Sequence, residues 1–382
     1  MKILLINYEY PPLGGGGGVA SEKLATGWAD FGHEVHVLTS KAKDLPSLEK
    51  RGKVIIHRIP VISRKETSTA TMISLVTFPI FAFVRGCSLF LKYRFDIINT
   101  HFAIPTGPVG FALKNIFRKP NILTIIGADI YDPTRNYSPH KVKILGWVVS
   151  KIINSASVVA AISENTKENA IKYYQPKKDI SVIPLAFEKP FFTELSRKDL
   201  GLEEARRYLI SIGRLVARKG YKYLIKAMDK LPNDISLLII GDGPEKTELE
   251  NLALKLNLGE RVHFLGMVSE EKKFQYLAVS DIYVLSSLHE GFGIVLQEAM
   301  EVGLPIVSTN WGGQTDFLLD QENALLINPE DVDAIAVSVI SLLQNPELMK
   351  KMSNNNKKAV TQFYIPNVSQ KYLSIFEILL KK

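Results

Sequence analysis

The stretch His289-Glu290-Gly291-Phe292-Gly293-Ile294-Val295-Leu296-Gln297-Glu298, continued to Gly313 as AMEVGLPIVSTNWGG, decides how this chain is read. It follows an apolar run at Ile282 to Leu285 and leads to another at Ile306 to Ser308, with an amphipathic helix expected from about Ile294. Strand, glycine-flanked turn, helix and strand make one unit of a parallel sheet. Gly291 and Gly293 free the amides around Phe292, and a helix start of this kind suits an anion.

The two carboxylates are not a hydrolytic pair. Were all eight steps helical, Glu290 and Glu298 would lie ~12 Å apart along the axis. The acid and nucleophile of a retaining glycosidase face one bond at about 5 to 5.5 Å. Either one acid meets a sugar and the other a ribose, with a diphosphate on the amides between them, or both are solvated glutamates of an α/β domain.

Outward from this stretch, short apolar runs alternate with helical ones. They fall at Ile3 to Asn7, Glu34 to Thr39, Val54 to Arg58, Ile97 to Thr100, Ile122 to Ile126 and Val158 to Ile162. The pattern restarts at Tyr208 to Ile212 and continues through Ser236 to Ile240, Val262 to Leu265, Ile282 to Leu285, Ile306 to Ser308 and Ala324 to Ile327. The expected fold class is α/β, with two doubly wound Rossmann-like domains. The chain of 382 residues exceeds what one core usually supports. The expected domains are residues 1–188 and 189–365, joined near Pro184 to Gly201, with a final amphipathic helix, 366–382, packing back on the first.

Composition narrows the partners. Cys87 is the single cysteine, which excludes an internal disulfide framework and a cysteine-based metal cluster. The apolar run at the amino terminus, ILLI, is too short for a signal-peptide core, so a cytoplasmic location is expected, with the inner face of the membrane as a second site. Residues 1–190 carry 25 Lys and Arg against 14 Asp and Glu, or +11, whereas residues 191–382 carry 22 against 25, or −3. The cations are scattered and no nucleic-acid module is recognisable, so a phosphate-bearing lipid or an anionic membrane surface is preferred to nucleic acid. Residues 67–84, TSTATMISLVTFPIFAFV, are uncharged, but six Ser/Thr, Pro79 and the following Arg85 favour a crossover helix over a membrane span. The alternative is an aromatic face, Phe78, Phe81, Phe83 and Phe90 beside Arg85, Lys92 and Arg94, that dips into a membrane interface.

Three further segments address phosphate. Gly14 to Gly18 lie between a strand and a helix expected from Val19, and their amides can approach a phosphate or a sugar. Gly15, Gly17 and Ala20 fit a dinucleotide fingerprint, but the second strand ends in Thr39 and Ser40 rather than a ribose-binding acid, which argues against a nicotinamide cofactor. In LISIGRLVARKG a strand ends at Gly213 and presents Arg214 and Lys219, cations suited to a leaving diphosphate or simply solvated. In LLIIGDGPEKTEL a strand turns through Gly241 and Gly243 into a helix with Pro244 expected at its start.

Taken in order, these pieces resemble the retaining glycosyltransferases of family 4, of GT-B fold, over nearly the whole chain. The resemblance rests on the glycine loop, GRLVARKG, GDGP, and the E-x7-E of Glu290 and Glu298 followed by GLPIVSTNWGG. It implies a cleft between two domains, where Arg214 and Lys219 bind a donor diphosphate next to Gly213 and Gly241. Amides of Phe292, Gly293 and Ile294 would receive its phosphates, Glu298 its ribose, and Glu290 would face the transferred sugar. Gly16 and Gly17 would lie across the cleft. Where the family often has a histidine, in TIIGAD, this chain has Ile126, and His101 is the nearest substitute. Asp129 in that segment contacts an acceptor or, as slightly favoured, caps the next helix.

The implied function is metal-independent transfer, with retention, of a hexose-type sugar from a UDP- or GDP-sugar to a hydroxyl acceptor. No cofactor is expected beyond that co-substrate, and the favoured acceptor is a lipid-linked or cell-surface polysaccharide precursor. The rival readings are a nucleotide-sugar epimerase of the same fold, a nicotinamide oxidoreductase and a non-catalytic sugar-nucleotide binding protein.

Overall fold

The computed structural model describes residues 1–64 and 71–381 and divides into two compact units. Unit 1 is Met1–Glu188 with the chain from Phe363 onward, and unit 2 is Lys189–Gln362.

Unit 1 runs β1 (Lys2–Ile6), α1 (Gly16–Asp30), β2 (Glu34–Lys41), β3 (Leu48–Arg51), β4 (Val54–Pro60), α2 (Met72–Tyr93), β5 (Ile97–His101), α3 (Gly107–Phe117), β6 (Asn121–Ile125), α4 (Lys143–Ser155), β7 (Val158–Ala161), α5 (Glu164–Tyr174) and β8 (Ile180–Val182). Unit 2 runs β9 (Arg207–Ile212), α6 (Tyr221–Met228), β10 (Ile235–Ile240), α7 (Lys246–Lys255), β11 (Val262–Gly266), α8 (Glu270–Val279), β12 (Ile282–Leu285), α9 (Ile294–Val302), β13 (Ile306–Thr309), β14 (Ala324–Ile327), α10 (Val332–Leu343) and α11 (Pro346–Ala359). The last helix, α12 (Ile365–Leu380), belongs to unit 1.

The sheet of unit 1 has the order β3-β4-β2-β1-β5-β6-β7-β8, parallel except for the β3–β4 pair. The sheet of unit 2 has the order β11-β10-β9-β12-β13-β14 and is parallel throughout. Strand order reverses between β1 and β5 in the first sheet and between β9 and β12 in the second. In open sheets of this kind, ligands bind at such points beyond the carboxyl ends of the strands.

Strand alternation builds a core on each face of the first sheet. Ile3 and Leu5 of β1 point to α1 and α12, whereas Leu4 and Ile6 point to α2 and α3. Helix α12 docks through Tyr372 and Phe376, whose ring centroids lie 5.6 and 5.1 Å from that of Trp28 in α1. The close approach depends on Gly27, where an added Cβ would stand 2.1 Å from Ser369 Oγ. Gly27→Ala is therefore expected to cost about 1 to 3 kcal/mol by overpacking, read as a lower urea midpoint at unchanged slope.

Several expectations need adjustment. The antiparallel edge strand β3, of sequence LEKR, and the three-residue β8 carry too little apolar pattern to be read. Helix α1 begins at Gly16 rather than Val19, so three of the five glycines lie in its first turn. Pro244 lies in the turn before α7, whose cap is Glu245. The apolar run 67–84 falls partly outside the described residues; from Met72 it is α2, the β4-to-β5 crossover. The proposed aromatic face does not exist as one surface, because Phe78 and Phe90 are buried in the core while Phe81 is exposed. Phe78 and Phe81 are three residues apart and diverge by about 60° around the axis, enough to part them at the edge of the buried stripe.

Candidate active site

The site of unit 2 is assembled at its switch point by the loops that follow β9 and β12. After β9 the chain passes Gly213 and a short 3-10 turn, Ala217–Lys219, to Gly220 at the start of α6. Gly220 has φ +64°, and an added Cβ would lie 2.2 Å from the carbonyl oxygen of Ser286, so only glycine lets the two loops meet. Ser286 Oγ donates to the Lys219 carbonyl at 3.1 Å and fastens the same contact. The third partner is the loop after β13, where Gly313 donates its N–H to the Glu290 carbonyl at 2.8 Å.

These contacts hold Glu290 inside, 5% exposed, among positive charges. Its Oε1 accepts from Lys219 Nζ at 2.5 Å and from Ser287 Oγ at 2.7 Å, and Arg218 Nη1 lies 3.3 Å from Oε2. Burial alone would raise the Glu290 pKa, but Lys219 and Arg218 outweigh it and hold the carboxyl at about 2. Glu290 is thus a permanent carboxylate, unable to act as a general acid near neutrality and a poor base. It can accept hydrogen bonds from hydroxyl groups.

Glu298, one turn into α9, is 8% exposed. Lys273 Nζ of α8 donates to its Oε1 at 2.7 Å and also to Glu270, whereas Oε2 has no hydrogen-bond partner among the described residues. Burial raises the Glu298 pKa, with Lys273 opposing. A buried acceptor left over beside a helix start is available to a hydroxyl that arrives with a ligand. Gly293, φ +94°, caps α9 and sets the amides of Phe292, Gly293 and Ile294 at its positive end. Gly213 lies under Lys219, whose Cε is 3.3 Å from where a Cβ would be, and a Cβ on Gly241 would fall 2.0 Å from the Gly213 carbonyl oxygen. Arg214 is exposed and makes no side-chain hydrogen bond or ion pair among the described residues.

Unit 1 has its own switch point, between the glycine loop after β1 and the end of β5. His101 is 0% exposed there, with Nδ1 2.7 Å from Ser21 Oγ and Nε2 without a partner among the described residues. Ser21 in turn donates to the Gly17 carbonyl at 2.8 Å and accepts from Asn7 Nδ2 at 2.5 Å. Burial lowers the His101 pKa to about 3, so the ring is neutral. Gly15, Gly16 and Val19 reach solvent here, as does in part Phe102, whose ring occupies the place that a Cβ on Gly17 would take. The Glu9 carboxylate already accepts the Gly15 amide at 3.2 Å, which disfavours a phosphate at this helix start. Asp129 is not a helix cap: it accepts from the amides of Ala103 at 2.6 Å and Ile126 at 2.9 Å and clips two loops together.

Both halves of the chain match family models. Residues 14–188 match Glycosyltransferase Family 4 and residues 192–359 match Glycosyl transferases group 1. The chain belongs to glycosyltransferase family 4. N-acetyl-alpha-D-glucosaminyl L-malate synthase of Bacillus anthracis is 28% identical over 100% of the chain and 98% of that protein. Among solved structures, sucrose-phosphate synthase from Thermosynechococcus elongatus superimposes with a TM-score of 0.87 at 22% identity, covering 100% of this chain and 99% of that one. Anabaena HepE in complex with UDP superimposes at 0.78 with 20% identity, covering 99% and 100%. The fold of this family 4 glycosyltransferase is GT-B.

The residues that sequence reasoning passed over in this glycosyltransferase are Arg218, Ser287 and Lys273. Ser287 and Glu290 form an S-x-x-E pattern, a local signal of the kind seen where a serine and an acid cap one another. Lys273 meets Glu298 from 25 positions away, and nothing local announces that contact.

Proposed function

We propose that this glycosyltransferase moves a hexose-type sugar from a UDP- or GDP-sugar to a hydroxyl acceptor with retention of anomeric configuration. The observation that carries the reading is Glu290, a buried carboxylate held charged by Lys219 and Arg218 at the switch point of unit 2. With Arg214 and the start of α9, three cations against one buried anion suit a diphosphate. Glu290 would accept hydrogen bonds from the sugar, and Glu298 Oε2 those of the ribose. The related HepE was solved with UDP, which supports a nucleoside diphosphate here.

The chemistry follows from what Glu290 cannot do. Each of its oxygens faces a cation and its pKa is about 2, which disfavours a covalent glycosyl-enzyme. In the proposed step the C1–oxygen bond to the diphosphate breaks while the acceptor oxygen bonds C1 from the same face. The leaving phosphate oxygen takes the acceptor proton, and Lys219, Arg214 and the α9 amides stabilise its charge without a metal. The acceptor is assigned to the Gly16–Phe102 surface of unit 1, where the phosphate-poor loop suits hydroxyl groups, and a lipid-linked precursor accords with the charge of that half.

Glu298→Gln is expected to weaken nucleotide binding about tenfold, because an uncharged amide is a poorer acceptor for ribose hydroxyls. Calorimetric titration with UDP and GDP checks this. The proposed reaction is tested by NMR of the product from a nucleotide-sugar panel in EDTA. An α-linked glycoside from an α-linked donor supports it, and an epimerised donor or an inverted product contradicts it.

A further inference from the structure

Helices α2, α3 and α4 form one layer on the sheet of unit 1. An added Cβ on Gly86 of α2 would reach Leu113 of α3 at 2.7 Å, and one on Gly107 of α3 would reach Ile152 of α4 at 2.6 Å. Phe90 and Phe117 stack between the first two, at 4.4 Å. The inner faces are core. The outer face of α2 carries an apolar stripe, Ile73, Val76, Ile80, Val84 and Leu91, at helical spacing and interrupted by the exposed Ser88, with Val76 66% exposed. Phe111 and Ile116 continue it on α3, and Ile144 and Trp147 on α4. Trp147 is 63% exposed with Lys151 Nζ 5.8 Å from its ring centroid.

The charge on these helices has one sign. They carry Arg85, Lys92, Lys114, Lys143 and Lys151 and not one Asp or Glu; their connections add Arg94, Arg118, Lys119, Arg135 and Lys141 against Asp96 and the buried Asp129 and Asp132. We infer that this face docks on an anionic lipid bilayer, the apolar stripe and Trp147 entering the headgroup boundary while the flanking cations meet lipid phosphates. A second copy of the chain is the poorer occupant, because a twofold contact sets the same patch against itself and opposes cation to cation. A membrane span is excluded for α2 by its other face, where Ser74, Phe78, Ala82, Gly86 and Leu89 are buried in the unit. Apolar insertion and cation attraction are both needed, since each alone binds a membrane only marginally. The inference deepens the lipid-linked acceptor reading and is tested without any transfer step, so the two fail separately.

The experiment is sedimentation of the full chain with vesicles of phosphatidylcholine alone or mixed with phosphatidylglycerol, for wild type, Val76→Glu/Ile80→Glu and Trp147→Glu. All three replaced positions are exposed, and an unchanged thermal midpoint checks that the variants fold. Wild type is expected to sediment with the phosphatidylglycerol vesicles, at least about tenfold less in 0.5 M salt, and each variant to lose about tenfold or more. Absence of wild-type binding, variants that bind as wild type does, or a vesicle-free dimer that the glutamates dissociate would each overturn it.

Discussion

Lys219→Ala is expected to lose transfer and stability together. Its ammonium is the nearest cation to Glu290 among the described residues and projects over Gly213, where the donor diphosphate is proposed to sit. Removing a charge that stabilises a leaving group costs roughly 10²- to 10³-fold in kcat. The same change leaves Glu290 buried with Arg218 as its only ionic partner among the described residues, and breaking a buried pair from one side costs about 3 to 5 kcal/mol. The discriminating companion is Lys219→Met/Glu290→Gln, which removes both charges. It is expected to recover most of the unfolding free energy measured in urea while remaining inactive. A double variant as unstable as the single one would show that Lys219 stabilises the fold by something other than its pairing with Glu290.

The second large effect lies in unit 1 and concerns pH. His101 titrates near 3 when folded and near 6.5 when unfolded. Between those values the unfolded chain binds the extra proton, so the stability that neutral His101 supplies is complete above about pH 6.5 and is lost as pH falls toward 3. From pH 7 to pH 4 that is about 2.5 pKa intervals, or roughly 3 kcal/mol. Asp129 works the other way: burial raises its pKa to about 6, so its protonation stabilises the fold as pH falls below that value. Because Asp129 is present in both proteins, comparison of wild type with His101→Asn isolates the histidine. The wild type should lose about 3 kcal/mol more than the variant across this range in urea unfolding. Parallel pH profiles would mean that the His101 ring takes up its proton while folded.

The contrast between the two sites shows what a sequence makes legible. The strands that form the cores of the sheets are short runs rich in Ile, Leu and Val between turn residues, and their direction follows from the helices after them. Gly220, Gly293 and Gly312 are equally readable, because a positive φ or a backbone approach admits no other residue. Glu290 and Lys219 lie in segments whose chemistry is local. The Lys273–Glu298 pair and the burial of His101 behind Ser21 are set by how α8 meets α9 and how α1 meets β5. No spacing along the chain encodes those contacts. The glycine run illustrates the same limit. Five glycines suggest a phosphate nest, and only the packing of Glu9 against Gly14 and Gly15 shows that an acid of the chain has taken that place.

The central claim is that the switch point of unit 2 binds the diphosphate of a nucleotide sugar through Lys219 and its neighbours. Isothermal titration of UDP, GDP and ADP in EDTA, against wild type and Arg214→Ala, tests it most directly, since Arg214 is exposed and its loss leaves the buried charges paired. The account predicts saturable binding of a nucleoside diphosphate to the wild type and affinity at least about tenfold lower in the variant, the value of one charge-assisted contact. Equal affinity in the two proteins, or no binding of any nucleoside diphosphate, would contradict it.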